Sequence, residues 1–187
     1  MLTICYSCHR DCPAPMPTDC VPHEVITSKD TGFYVWTSGK EKDGYATAIK
    51  LNQGWRASAE GYYFNENEYS IYLVAYNLLD GFLIKKDVIL INSSPFVKSN
   101  CIKLQSKIDS LGGRMIYSAV DDDVTEDRYE LDESTDNNYL QIDTLNVETG
   151  RMAGKFMATF RRLTNNRPWN LPTVRFFNGE FHCNIVN

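Results

Sequence analysis

From residue 23 onward, short β-branched and aromatic runs alternate with clusters of Gly, Asn, Asp and Ser. That pattern predicts strands separated by turns. The runs are residues 32–37, 45–51, 55–64, 69–76, 82–84, 87–91, 114–120, 139–145 and 154–160. Turn signals sit at Asn52-Gln53-Gly54, Asn65-Glu66-Asn67, Asp80-Gly81 and across 146–150. Residues 92–112 are less regular, with a strand expected at 101–104. In the run 69–76, Ile71, Leu73 and Ala75 share one face and Tyr72, Val74 and Tyr76 the other. Both faces are apolar, so this strand is expected to be central or covered on both sides. No amphipathic helix of three turns appears.

The C-terminal third carries the sharpest pattern. Leu140 and Ile142 point one way in their strand, and Phe156, Ala158 and Phe160 share a face in the next, which predicts a long hairpin. Asn178-Gly179 is the preferred two-residue type I′ turn, which predicts a second hairpin. Its register pairs Phe176 with Phe181 and Val174 with Cys183 toward the core, and sends Arg175, Phe177, Glu180 and His182 outward. Roughly ten short strands with frequent turns imply a sandwich or a barrel. The favoured expectation is an all-β, antiparallel two-sheet β-sandwich.

The first 22 residues are different. Cys5, Cys8, Cys12 and Cys20 crowd together, and three prolines fall between Cys12 and Cys20. Proline fixes φ and removes a donor, so this reads as an irregular tail, 1–22, ahead of a domain at 23–187. Leu2-Thr3-Ile4-Cys5 is similar to a lipobox, with Cys5 or Cys8 as the lipidated residue. The position before Cys5 is Ile rather than a small residue, and no basic start and apolar core precede it. The lipobox reading therefore takes Met1 as an internal start. Cys5-Tyr6-Ser7-Cys8-His9 also matches the C-x-x-C-H pattern for covalent haem, in a proline-rich and polar setting that offers no haem pocket. Zinc on Cys5, Cys8, Cys12, Cys20, His9 and His23 is a further alternative, without the second knuckle that structural sites use. A Cys12–Cys20 disulfide, or no chemistry at all, is the plain reading. Export would also permit Cys101–Cys183 to pair, and two buried free thiols are an equal alternative.

Three segments resemble parts of uncharacterised Bacteroidota exported lipoprotein domains. Residues 48–59, with Asn52-Gln53-Gly54-Trp55, resemble the "NGxxWxA" opening, with one residue fewer between Asn and Trp. Residues 143–160 resemble the family's "D…tg.isGtFsftf" hairpin, and residues 174–181 its closing "itnGtF" hairpin. The resemblance implies an exported, usually lipid-anchored β-sandwich. It names no catalytic residues.

Net charge is −5 with a pI near 5.2, which argues against a general nucleic-acid binder. No stretch reaches the ~18–20 apolar residues of a membrane-spanning helix. Residues 121–138 hold nine carboxylates and one base, Arg128. The plain reading is a solvated acidic loop. The sharper reading is calcium on Asp121, Asp123, Thr125 and Asp127, without the glycine of an EF-hand. Tyr62, Tyr72 and Tyr76 cluster around one hairpin, either as sheet packing or as an aromatic platform for a glycan or a peptide. No G-x-S-x-G elbow occurs, and His23 and His182 lie in no nucleophile-like setting. The expected function is therefore a non-enzymatic binding or structural module of the cell envelope. Its membrane partner is reached by a lipid anchor at the outer membrane or in the periplasm, it has no resident cofactor, and its ligand is unspecified.

Overall fold

The computed structural model describes residues 34, 44–65, 68–93, 101–106 and 113–186. Ten strands run in chain order: β1 (Gly44–Lys50), β2 (Gln53–Asn65), β3 (Glu68–Leu79), β4 (Phe82–Ser93), β5 (Cys101–Gln105), β6 (Gly113–Asp121), β7 (Val124–Leu131), β8 (Tyr139–Asn146), β9 (Arg151–Arg162) and β10 (Thr173–Val186). The all-β expectation holds. The ten strands belong to one hydrogen-bonded sheet, and no second sheet is present among the described residues.

The ladder closes on itself. β1, β2, β3, β4, β6, β7, β9 and β10 pair in that cyclic order, and β10 returns to β1. β6 and β9 splay apart. β7 fills the gap between them at one end, and the β5–β8 pair fills it at the other. Closure leaves no long free edge and gives every strand an inward row. Side chains fill the interior: Trp55, Tyr69, Ile71, Leu73, Tyr117, Phe156, Phe160, Phe176 and Phe181 are fully buried. Rings meet edge to face at its centre, with Trp55 and Phe176 at 5.1 Å and Tyr117 and Phe176 at 5.4 Å between centroids.

Strand directions put four connections at one end of the barrel: Leu51-Asn52, Asp80-Gly81, Asp122-Asp123 and residues 163–172. Leu51 and Asn52 both have positive φ (52° and 63°), so the turn sits before the expected Asn52-Gln53-Gly54, and Gly54 is already paired in β2. Asp80 (51°) and Gly81 (85°) form the type I′ turn that their sequence predicts.

Two expectations are corrected. Asn178-Gly179 does not turn the chain. β10 runs straight through it, and the register against β9 shifts between Phe176 and Gly179. Asn178 takes the left-handed conformation (φ 47°) as a β-bulge, and Gly179 lies against the Phe156 ring, where a Cβ would collide. A bulge reverses which parity faces inward, as a two-residue turn does. Val174, Phe176, Phe181 and Cys183 are therefore still buried and His182 still exposed. The acidic segment is not simply a loop either. It contains β7, which carries Asp127, Tyr129 and Leu131 into the interior.

Candidate functional site

The densest chemistry lies under the end that bears the four connections. Lys50 closes β1, Asp87 sits on the inward row of β4, Tyr117 on that of β6 and Trp55 on that of β2. The curvature of the sheet brings them together across the interior. Lys50 Nζ donates to Asp87 Oδ1 at 2.7 Å and Oδ2 at 2.8 Å. Tyr117 Oη donates to Oδ1 at 2.8 Å, and Trp55 Nε1 to Oδ2 at 3.0 Å. Tyr34 accepts from Lys50 at 2.9 Å and its hydroxyl donates to the same carboxylate. The ammonium also lies 5.3–5.8 Å from the ring centroids of Tyr34, Tyr117 and Phe176.

Burial alone would raise the Asp87 carboxyl, but the Lys50 charge and the converging donors outweigh it and hold it below its ordinary value. The two phenols move the other way. Burial first, then the Asp87 charge, pushes Tyr34 and Tyr117 well above the ordinary phenol range. The cluster is thus a buried ion pair in which the carboxylate is held charged and the phenols neutral, with both carboxylate oxygens taken up by donors from Lys50, Tyr117 and Trp55.

Above it a cleft of about 290 Å³ is walled by Tyr129, Trp169, Asn170, Leu171 and Val174. The loop over this cleft is held by Asp127. Oδ1 accepts from Asn166 N at 2.8 Å and Thr164 Oγ1 at 3.2 Å, and Oδ2 accepts from Asn170 Nδ2 at 2.8 Å. Arg162 stands 3.8 Å away and donates to the Arg167 and Asn170 carbonyls. Burial works against the Asp127 charge, yet these donors keep its carboxyl below the ordinary value. Arg167 pairs with Glu126 at 3.2 Å and lies over the Trp169 ring.

The expected site residues fall in several places. Asp121 is drawn to Lys86, Asp127 turns into the barrel, and Asp123 and Thr125 stay exposed. Among the described residues, no group of three or more His, Cys, Asp or Glu is arranged to hold a metal ion. Tyr72 and Tyr76 are half-buried on the outward face of β3; Tyr62 is exposed on β2 and donates to Glu60. On that face Tyr72 stands beside Leu90 of β4, which stands beside Ile116 of β6, an apolar row left without a covering sheet among the described residues. Cys183 is a free, buried thiol pushed up to about 12 by burial. His182 faces the other way and stacks on Tyr45 at 4.9 Å. Cys5, Cys8, Cys12, Cys20, His9 and His23 lie outside the described residues, as does the side chain of Cys101 and, Tyr34 apart, the strand expected at 32–37.

Sequence reasoning missed Lys50, Asp87 and the loop staple at Asp127. The one available signal was the charge of Asp87 at the head of an apolar run, where an inward carboxylate needs a partner. No protein-family model, no curated protein and no solved structure matches this chain.

Proposed function

We propose that the chain is a non-catalytic binding module of the cell envelope, tethered through Cys5 or Cys8, that meets its ligand with the end of the barrel bearing the four connections. The carrying observation is where large apolar side chains remain exposed. Among the described residues, Leu51, Leu78, Leu79, Phe82, Leu83, Val124, Leu163, Trp169 and Leu171 all come from that end, against Tyr62, Phe64, Val147 and Val186 elsewhere. Such concentration on one face is a mark of interaction surfaces. The saturated Asp87 and Asp127 carboxylates support a binding role over acid–base chemistry, because both are engaged in holding the frame.

A photoreactive amino acid placed at Trp169, compared with one at Val147, tests the surface in the producing cell. Adducts from position 169 and none from 147 are expected. Equal yields, or adducts only from 147, remove the reading. Intact mass tests the tether: a diacylglyceryl adduct on a chain starting at Cys5 or Cys8 is expected, and an unmodified chain from Met1 removes it.

A second reading keeps the outward face of Tyr62, Tyr72 and Tyr76 as a platform for a glycan or peptide. The uncovered row Tyr72–Leu90–Ile116 favours it. Quenching or shift of tyrosine fluorescence on titration with soluble glycans, abolished by Tyr72→Ala, is its test.

A further inference from the structure

The β3–β4 hairpin extends beyond the barrel that it helps to build. Pairing of β3 with β2 ends at Val74, opposite Ser58, and pairing of β4 with β6 ends at Asp87, opposite Ala119. Past those points the two strands pair only with each other, up to Leu79 opposite Phe82. Ala75 and Asp87 still face the core and Lys85 still meets the neighbouring turn, so the free part runs from Tyr76 opposite Lys85 to the apex and, at ~3.3 Å per residue, projects about 10 Å. Its base is stapled to the neighbouring turn, where Asp122 N donates to the Lys85 carbonyl at 3.0 Å and Lys86 pairs with Asp121.

The tip has the wrong composition for an isolated ribbon. Leu78 pairs with Leu83 and Leu79 with Phe82, so both faces are apolar. Their exposures are 58%, 45%, 56% and 72% respectively. A two-stranded ribbon has no core of its own to bury these groups, and alone it is marginal in water. None of the four belongs to the packed core, and a covering partner would account for them.

Charge decides among the occupants. Asp80 stands at the apex, and Asp122 and Asp123 lie in the adjoining turn; none has an ion-pair partner among the described residues, the nearby Lys86 and Arg167 are already engaged, and Lys85 on the arm itself still leaves these three carboxylates in excess. Insertion into a bilayer would drive the Asp80 carboxylate in first, which is costly. A two-fold pairing of tips would set like carboxylates against each other. A surface with cations around an apolar recess complements the arm in both respects.

We propose that this hairpin is a docking arm for a protein partner that presents an apolar groove bordered by lysine or arginine side chains. The proposal rests on the reading that this end of the barrel is the contact surface, and it names the element and the partner's chemistry.

The test places the photoreactive residue at Phe82, with position 169 as the companion, in the full chain expressed in its own cell. The expected result is an adduct from position 82 to another protein, through a segment that carries Lys or Arg. Neutralising the acids (Asp80→Asn, Asp122→Asn and Asp123→Asn together) lowers its yield about tenfold, as does raised salt. Asparagine tolerates the positive φ of Asp80 and Asp122, so the triple variant keeps the turns. An adduct at twice the chain's mass, a lipid adduct, or a protein adduct indifferent to neutralisation overturns the proposal. An adduct from 169 without one from 82 also overturns it and leaves the binding reading standing. Silence at both positions removes both.

Discussion

Asp87 and Asp127 are both buried carboxylates of the barrel wall, and both are held charged, by different means. Asp87 faces a cation, with Lys50 at 2.7 Å and two phenols and an indole completing its shell. Asp127 is held by a backbone amide, a side-chain amide and a hydroxyl, with Arg162 no closer than 3.8 Å. The first ties strand to strand across the interior of the barrel. The second ties a loop to the strand beneath it. Removing a partner from the first strands a buried charge; removing one from the second leaves two donors of three in place.

The largest expected effect follows from that asymmetry. Lys50→Met leaves Asp87 buried without a cation and is expected to cost about 3–5 kcal/mol, read from urea unfolding at pH 7. A loss under about 1 kcal/mol would mean that water or another cation reaches Asp87. The pH dependence sharpens the point. The folded-state carboxyl of Asp87 lies below its unfolded value, so its contribution is fully present above about pH 4 and is lost as pH falls through the lower folded value. In Lys50→Met the Tyr117 and Trp55 donors remain but the opposing charge is gone; burial, the largest single influence on this carboxyl, is then expected to raise it, so the sign reverses and the variant's deficit shrinks as pH falls from 7 toward about 4.5. A deficit unchanged with pH would show that the charge of Asp87 is not what Lys50 compensates.

Asp127→Asn is expected to cost less, about 1–3 kcal/mol, because the asparagine amide can satisfy only part of the donor set. The effect should be local: faster amide exchange at Asn166 and Leu163, with the fluorescence of the Trp55 core unchanged. Asn170→Ala removes one donor of the three and should cost about 1 kcal/mol, with the same local signature. If Asn170→Ala instead loosened the Asp87 cluster, the two carboxylates would form one network and the comparison would fall.

How much of this was legible differs between the two. Alternation alone grouped Ile71, Leu73 and Ala75 on one face of their strand, Phe156 and Phe160 on one face of theirs, and Leu140 and Ile142 inward, because a strand's period of two is a local property; which face of 69–76 is the inner one came from the tertiary structure. Parity carried through even where the connection was misread: at Asn178-Gly179 a bulge and a tight turn exchange inward and outward residues alike, so Cys183 and His182 fell on the expected sides of a strand that does not turn. Asp127 was hidden in a run of carboxylates whose average character is solvated. Only its position opposite the returning 163–172 loop singles it out from Asp121, Asp122 and Asp123.

By itself the sequence determined the all-β class, most strand positions, which residues share a strand face and the Asp80-Gly81 turn, since each depends on residues within one turn or one strand. Whether the strands divide into two sheets or close into one was decided by tertiary structure, because closure depends on pairings such as β1 with β10 that are distant along the chain and leave no local pattern. The same holds for the Lys50–Asp87 pair, 37 residues apart, which meets because the curved sheet brings β1 and β4 together across the interior. It holds as well for the hairpin arm: its apolar tip reads as ordinary strand until the pairing with the neighbouring strands stops short of it.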